Sequence, residues 1–323
     1  MSEVFFADLE LPAPDVYLGV GSGSHAEQTA AVMVAFERHV VAERPAFVTV
    51  YGDVNSTLAC ALVAAKLGIP LAHVEAGLRS FDRTMPEEIN RLVTDALADA
   101  LYVSEPSGLE NLRREGRGEG AAVHVGNVMI DSLVRHLDRA LERVTRTRFG
   151  LDPRAYTVVT LHRPSNVDEA RRLGTIVDMI ITMAERATVV FPVHPRTRNV
   201  LEHTNLGGRL AGHRRVHLTE PLSYLDFLGL LAEAQIVVTD SGGIQEETTY
   251  LGVPCITLRT TTERPITVEV GTNEVVGDDP ARALAAFDRA ISGRWKTGAR
   301  PQLWDGCAAE RIAADLVARL GAG

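Results

Sequence analysis

Cysteine is scarce in this chain: Cys60, Cys255 and Cys307 are the only three in 323 residues. Their spacing matches no metal knuckle, and an odd count leaves no complete disulfide framework, so reduced thiols in a cytoplasm are expected. Aromatic residues are few, at 5%, and the Cys, Met and Trp residues form no constellation with a chemical use. Basic charge is in deficit: 33 Lys and Arg against 42 Asp and Glu leave a formal charge of −9. That balance argues against a nucleic-acid partner, and any anionic ligand must find a local island of Arg, His and helix ends. No apolar run approaches the roughly 20 residues that span a bilayer. The opening Met1-Ser-Glu-Val-Phe-Phe-Ala-Asp8 lacks a basic flank and a long apolar stretch, so neither a signal peptide nor a membrane partner is expected. What remains is 46% hydrophobic and 23% charged, a globular composition on a chain long enough for two domains.

Short apolar strands alternate with helical stretches, the pattern of an α/β protein whose parallel sheets are covered on both faces. Strands are expected near 15–20, 47–51, 71–74, 101–103 and 123–125, then near 156–161, 188–193, 216–218, 236–239, 255–258 and 274–276. Helices are expected near 25–41, 56–67, 86–98, 105–115, 168–186, 223–234, 280–292 and 308–320, with a long one from about 130 into the Arg-rich stretch 143–148. The breaker Gly150-Leu-Asp-Pro153 marks a domain junction. The expected division is a first domain over 1–149, a second over 150–306, and a final helix over 307–323 crossing back to the first.

Ligands of open parallel sheets bind beyond the carboxyl ends of strands, and here those ends are chemically loaded. Asp53, Glu75, His162 with Arg163, His194 with Arg196, Glu220 and Asp240 each follow an expected strand. A bland loop would carry Gly, Asn or Ser, so six such ends in two sheets point to a cleft between domains. The most informative of them is Asp240-Ser-Gly-Gly-Ile-Gln-Glu-Glu247. Ser241, Gly242 and Gly243 at a strand-to-helix turn let backbone N–H groups crowd an anion at a positive helix end. Glu246 and Glu247 follow at a distance suited to sugar hydroxyls. The same segment also reads as a capped helix start with glycines for tight packing.

Smaller signals surround this one. Pro86-Glu-Glu-Ile-Asn-Arg91 starts a helix with dipole-favoured acids, and a short loop ties it to Glu75-Ala-Gly-Leu-Arg79, so a second acid pair could face the same cleft. Gly19-Val-Gly-Ser-Gly-Ser lacks the third glycine and later acid of a dinucleotide fingerprint and reads as a flexible turn. Tyr224 and Phe227 could wall a base, although on an amphipathic helix they equally fill a core.

Taken together, Gly52-Asp53, His73-Val-Glu-Ala-Gly-Leu-Arg79, Pro86-Glu-Glu-Ile-Asn-Arg91, Gly126-Asn127, His162-Arg163, Pro192-Val-His-Pro195, Asp240-Ser-Gly-Gly-Ile-Gln-Glu-Glu247 and Thr262-Glu-Arg-Pro265 resemble one family. It is the non-hydrolysing UDP-N-acetylglucosamine 2-epimerases, of the two-domain glycosyltransferase-B type, and the likeness runs from about 15 to 320. It implies two Rossmann-like doubly wound domains facing a central cleft, a homodimer, and interconversion of UDP-N-acetylglucosamine and UDP-N-acetylmannosamine without cofactor or metal. Anti-elimination of UDP would give a 2-acetamidoglucal, and re-addition with protonation on the other face would invert C2. That chemistry needs acid–base groups reaching two faces and a positive clamp that keeps UDP. By position, Asp53, Glu75 and Glu87 match the family's catalytic acids and His162 its catalytic histidine. Ser241, Gly242 and Gly243 match its diphosphate loop and Glu247 its ribose-binding acid. Arg163 and His194 match contacts to bound nucleotide sugar, and Arg196 and Arg264 are expected to join them.

Two departures from the family pattern bear on this. The usual opening strand, its Gly-Thr-Arg-Pro-Glu turn and the next strand, on the order of forty residues, have no counterpart here. The expectation is a first domain lacking its first βα unit, with two interior strand edges open. His162-Arg-Pro-Ser-Asn-Val-Asp168 also stands where many bacterial relatives carry two arginines and a glutamate. Remaining alternatives are a hydrolysing 2-epimerase, an epimerase of a related UDP-diacetamido sugar, a glycosyltransferase of the same fold, and a nucleotide-sugar-binding protein without activity.

Overall fold

The computed structural model of the chain describes residues 8–118 and 120–321, so the opening segment weighed as a leader lies outside it except for Asp8. The chain forms two compact units, one from Ala13–Asp131 and Gln302–Gly323, the other from Met1–Pro12 and Ser132–Pro301.

In the first unit, helices α1 (His25–Glu43), α2 (Asn55–Lys66), α3 (Pro86–Leu97) and α4 (Pro106–Arg114) alternate with strands β1 (Val48–Tyr51), β2 (Leu71–Ala76), β3 (Ala100–Val103) and β4 (Ala122–His124). The sheet is wholly parallel in the order β1-β2-β3-β4. Val48, Val50, Leu71, Leu101 and Val103 bury one face with Ala61, Ala64 and Leu112. Ala72, Val74, Ala100 and Tyr102 bury the other against Ile312 and Leu316 of the closing helix, Ala308–Gly321. Burial on both faces is why β2 reads as an apolar run rather than an alternation.

The strand expected near 15–20 does not form: the segment is irregular, and Tyr17 is 81% exposed. No described strand lies beside it to complete its backbone hydrogen bonds, and a lone strand has nothing to stabilise it. Nor do two interior edges stand open. The four strands pair without interruption, and among the described residues the unpaired edges are those of the two terminal strands, β1 and β4.

The helix expected to run through 143–148 is α5 (Val128–Glu142), and it stops early. Val144 turns to a φ of 46°, and a 3-10 turn follows over Thr145–Phe149. Asp226 accepts from Thr145 and Arg148, and Glu233 pairs with Arg146, so ionic contacts draw the turn aside. The two compact units part within α5, between Asp131 and Ser132, where each end of the helix has different company. Asp131 accepts the N–H groups of Ala308 and Ala309, whereas Leu133 and Ala140 pack with Leu225 and Leu228.

The second unit carries β5 (Tyr156–Thr160), β6 (Thr188–Pro192), β7 (Val216–Thr219), β8 (Ile236–Thr239), β9 (Cys255–Thr257) and β10 (Asn273–Val275). They form a parallel sheet in the order β10-β9-β8-β5-β6-β7. Its helices are α6 (Pro164–Val167), α7 (Ala170–Ala184), α8 (Pro195–His203), α9 (Leu206–Ala211), α10 (Tyr224–Ala232), α11 (Gly242–Leu251), α12 (Ile266–Glu269) and α13 (Pro280–Ile291), and the closing helix is α14. The chain moves outward from β5 through β6 to β7, then returns to place β8 on the other side of β5. Order reverses between β5 and β8, which is where an open sheet leaves room for a ligand. Among the described residues no helix is long and apolar enough to cross a membrane.

Candidate active site

In the second unit, Asp240 ends β8 and His162 follows β5, so both stand at the reversal. Asp240 is fully buried and accepts the backbone N–H groups of His162 and Arg163 at 3.1 and 3.0 Å, and the Asn166 side-chain amide at 3.1 Å. His162 Nδ1 lies 2.9 Å from the same carboxylate. Burial alone would raise the Asp240 pKa, but the His162 hydrogen bond and charge, with the Asn166 and Arg163 donors, bring it below the usual carboxylate value. The neighbouring strand end contributes His194, whose ring centroid is 5.6 Å from that of His162. Its Nδ1 accepts the Arg196 N–H and caps α8. Burial, then the proximity of His162, holds the His194 pKa low.

A pocket of ≈ 210 Å³ opens on this strand-end row. His162, His194 and Ser241 line its polar side, and Leu222, Phe227 and Pro192 give it an apolar wall. Phe227 thus faces a cavity. Tyr224, weighed as a second wall, instead donates its hydroxyl to Glu247 at 3.1 Å. Glu247 is 4% exposed, and burial, only partly offset by Tyr224, pushes its pKa up to about 7.

Ser241 is the N-cap residue of α11 and makes no side-chain capping bond, while its own N–H donates to Thr239 Oγ1. Gly242 and Gly243 form the first turn. A Cβ on Gly242 would fall 2.7 Å from both Arg264 Nη1 and Glu263 Oε1, so the glycine lets these side chains pack against the helix start. Arg264, expected among the substrate contacts, is buried there and paired with Glu246 at 2.8 Å and Glu263 at 2.5 Å. Its charge is balanced by those carboxylates, so it anchors the turn from behind. Arg196 is exposed and paired with Asp168 at 2.6 Å, and Arg163 enters the site through its backbone.

In the first unit the acids occupy two adjacent turns and one helix. Glu75 sits at a β-bulge between Val74 and Ala76 with a φ of 77°, a left-handed conformation that is strained for a residue with a side chain. Its Oε2 is 3.4 Å from where a Cβ on Gly52 would lie, so the Glu75 and Gly52-Asp53 turns touch. Asp53 is half-buried and accepts from Arg91 Nη1 at 2.5 Å, while its carbonyl takes the Asn90 amide at 2.8 Å. The paired acids of α3 separate. Glu87 is half-buried in the first turn, whereas Glu88 is 1% exposed and accepts from Ser80, Phe81 and Arg91. Burial would raise the Glu88 pKa, but the Ser80 N–H and the Arg91 charge lower it. It is an anchor for Arg91 and the 80–81 loop.

Sequence reasoning placed Asp240 at a strand end without giving it His162 as a partner; it quoted His73 and Arg91 within motifs without giving them a role, and it missed Asp95. The Asp240–His162 pairing becomes visible only once β5 and β8 are known to be neighbours. For Arg91 a signal existed, since Glu88 and Arg91 stand three apart on one helix.

Two parallel, Rossmann-like units with loaded strand ends define a protein of the glycosyltransferase-B fold class. A family model described as UDP-N-acetylglucosamine 2-epimerase matches residues 1–317. The UDP-N-acetylglucosamine 2-epimerase of Methanocaldococcus jannaschii is 43% identical over 304 residues, covering 92% of this chain and 83% of that one. A UDP-2,3-diacetamido-2,3-dideoxy-D-glucuronate 2-epimerase of Pseudomonas aeruginosa is 42% identical over 281 residues, covering 86% and 76%. The crystal structure of the M. jannaschii enzyme with UDP-GlcNAc and UDP superposes with a TM-score of 0.90, covering 98% of this chain and 88% of that one at 42% identity. This chain belongs to the UDP-N-acetylglucosamine 2-epimerase family.

Proposed function

We propose that this chain interconverts UDP-N-acetylglucosamine and UDP-N-acetylmannosamine. The observation that carries the reading is the oriented His162–Asp240 pair opening, with the Ser241-Gly-Gly helix start, onto one pocket whose far wall is apolar. An apolar wall suits a uracil ring. N–H groups at a helix start suit a diphosphate through elimination and re-addition. On this reading the first unit supplies the acids for C2. Asp53 and Glu75 stand on touching turns, as proton traffic on two faces of one carbon would require, and Glu87 joins them from α3. Two such acids exceed what a glycosyltransferase needs. The family likeness further implies a homodimer working in the cytoplasm, which sedimentation of the purified chain would test for assembly.

The decisive experiment is incubation with UDP-N-acetylglucosamine in D₂O followed by NMR. Deuterium at C2 together with a manno product is expected, and their joint absence would refute the assignment. The P. aeruginosa relative motivates a second substrate, a UDP-diacetamido-glucuronate, in the same assay. Faster exchange there would reassign the sugar while leaving the chemistry intact. Release of free amino sugar would identify a hydrolysing enzyme instead.

A further inference from the structure

His73 sits on β2 two residues before the bulged Glu75 and is fully buried. Its Nδ1 lies 2.6 Å from Asp95 Oδ1, and its Nε2 lies 2.8 Å from the Gly52 carbonyl oxygen. A peptide carbonyl can only accept. Asp95 accepts as a carboxylate: its Oδ2 takes the Gly77 N–H at 3.0 Å and faces Arg79 Nη1 at 2.7 Å, and although burial would raise its pKa, the His73 and Arg79 bonds and charges lower it. Each ring nitrogen thus meets an acceptor, and both hydrogen bonds exist only if both nitrogens carry hydrogen. The ring so protonated is an imidazolium, with Asp95 as its counter-charge.

This arrangement brackets the acids. Through one carboxylate, Asp95 grips His73 and Gly77 on either side of Glu75, the residue with the left-handed backbone. Gly77 is held on its other flank as well: a Cβ there would meet the Gly108 carbonyl at 2.5 Å. The far edge of the His73 ring holds the Gly52 carbonyl, which belongs to the peptide leading into Asp53. Neither acid-bearing turn can shift without breaking a bond to the buried ion pair.

We propose that His73, kept as an imidazolium by Asp95, is a positioning residue that fixes Asp53 and Glu75 relative to one another for proton transfer at C2. The role rests on the epimerase reading; the protonation state does not. The charged groups facing the ring are Asp95 from α3, Glu75 from its own strand, and Arg79 beyond Asp95, itself neutralised by Glu115 at 2.6 Å. Burial would push the His73 pKa down, and the Asp95 hydrogen bond and charge override it and raise it.

The test has two arms. In the first, the intact protein labelled with ¹⁵N in histidine is examined by NMR at about pH 8, where an ordinary histidine is neutral. The His73 ring, assigned through its backbone, is expected to show two protonated nitrogens, and one pyridine-like nitrogen would overturn the proposal. In the second, His73→Gln keeps a donor for Gly52 and loses the one for Asp95. Its kcat is expected to fall by roughly 100-fold or more, with KM and UDP affinity unchanged. Loss confined to melting temperature and UDP affinity, with kcat preserved, would mean a merely structural histidine and refute positioning. If the wild type itself shows no exchange at C2, the function assignment falls while the NMR arm still decides the protonation state. If His73→Gln does not fold, the same kcat comparison is made with Asp95→Glu, which keeps the counter-charge and displaces the bracket.

Discussion

Asp240 holds His162 twice, accepting its backbone N–H at 3.1 Å and facing its Nδ1 at 2.9 Å. Because the carboxylate accepts, Nδ1 must carry the hydrogen, which leaves Nε2 as the ring atom available for chemistry. The strand order makes this possible: β5 and β8 are adjacent although 75 residues of chain or more separate their ends, and their terminal threonines hydrogen-bond at 2.7 Å.

Replacing Asp240 with Asn separates orientation from charge. An amide opposes at least one of the donors now aimed at the carboxylate, so Asp240→Asn should lose about 1–3 kcal/mol of stability. Turnover should fall by roughly 10²–10⁴-fold, the range for a displaced general acid–base group. The native carboxyl has a folded pKa below its ordinary 3.8, so its contribution is present above that value and lost as pH falls through the folded one. Melting curves of wild type and variant should therefore differ near neutrality and converge in acid. Full turnover in the variant would remove Asp240 from the mechanism.

Glu247 gives the opposite pH signature. Burial lifts its pKa from 4.5 to about 7, so the folded chain holds a proton that the unfolded chain has released. Stability should then decline as pH rises from about 4.5 to about 7, by roughly 3 kcal/mol from this group. Glu247→Gln removes the burden, so the variant should melt higher than wild type at pH 8 and match it near pH 4. If the carboxyl grips ribose hydroxyls, the same variant binds UDP more weakly. Calorimetric titration with UDP and melting at the two pH values check both halves, and equal melting at pH 8 would contradict the burial argument.

Local signals carried most of the fold. Both sheets were expected from alternating apolar runs and helices, since a strand buried on two faces and an amphipathic helix each leave a pattern within about a dozen residues. What was missed depends on partners far along the chain. Residues 15–20 look like a strand, yet strand formation needs a neighbour, and none is described. Helices α8, α9 and α12 span nine, six and four residues, too short to leave a readable apolar stripe. In the candidate site, Asp53, Glu75, His162 and Ser241 could be proposed because strand ends are legible. The residues holding them could not: Arg91 reaches Asp53 across 38 positions and Asp95 reaches His73 across 22, and no periodicity encodes such pairs.

Gly242→Ala tests the helix start directly. The methyl group would meet Arg264 Nη1 and Glu263 Oε1 at 2.7 Å, and neither side chain moves freely, since the pair is buried and the guanidinium also holds Glu246. The expected outcome is a loss of about 1–3 kcal/mol from overpacking, accompanied by weaker UDP binding as the first turn shifts. Thermal melting with and without UDP resolves the two. A variant that melts normally and is stabilised by UDP as the wild type is would show that this turn does not carry the nucleotide.

Arg91 is the last residue whose role the geometry makes testable. It is 2% exposed and divides its guanidinium between Asp53 and Glu88. Lysine keeps the charge but not the fork, so Arg91→Lys can satisfy one carboxylate only. If it follows buried Glu88, Asp53 is released; if it follows Asp53, Glu88 and the 80–81 loop lose an anchor. Either way turnover should fall, and stability should drop by about 1–3 kcal/mol, less than the 3–5 kcal/mol of deleting one partner of a buried ion pair. UDP affinity should hold, since the proposed nucleotide contacts lie in the other unit. Asp53→Asn is the control: it should abolish turnover at little stability loss, because Asp53 is the more exposed partner of Arg91. Turnover that survives Arg91→Lys intact while Asp53→Asn eliminates it would mean that Asp53 needs no guanidinium to hold its place.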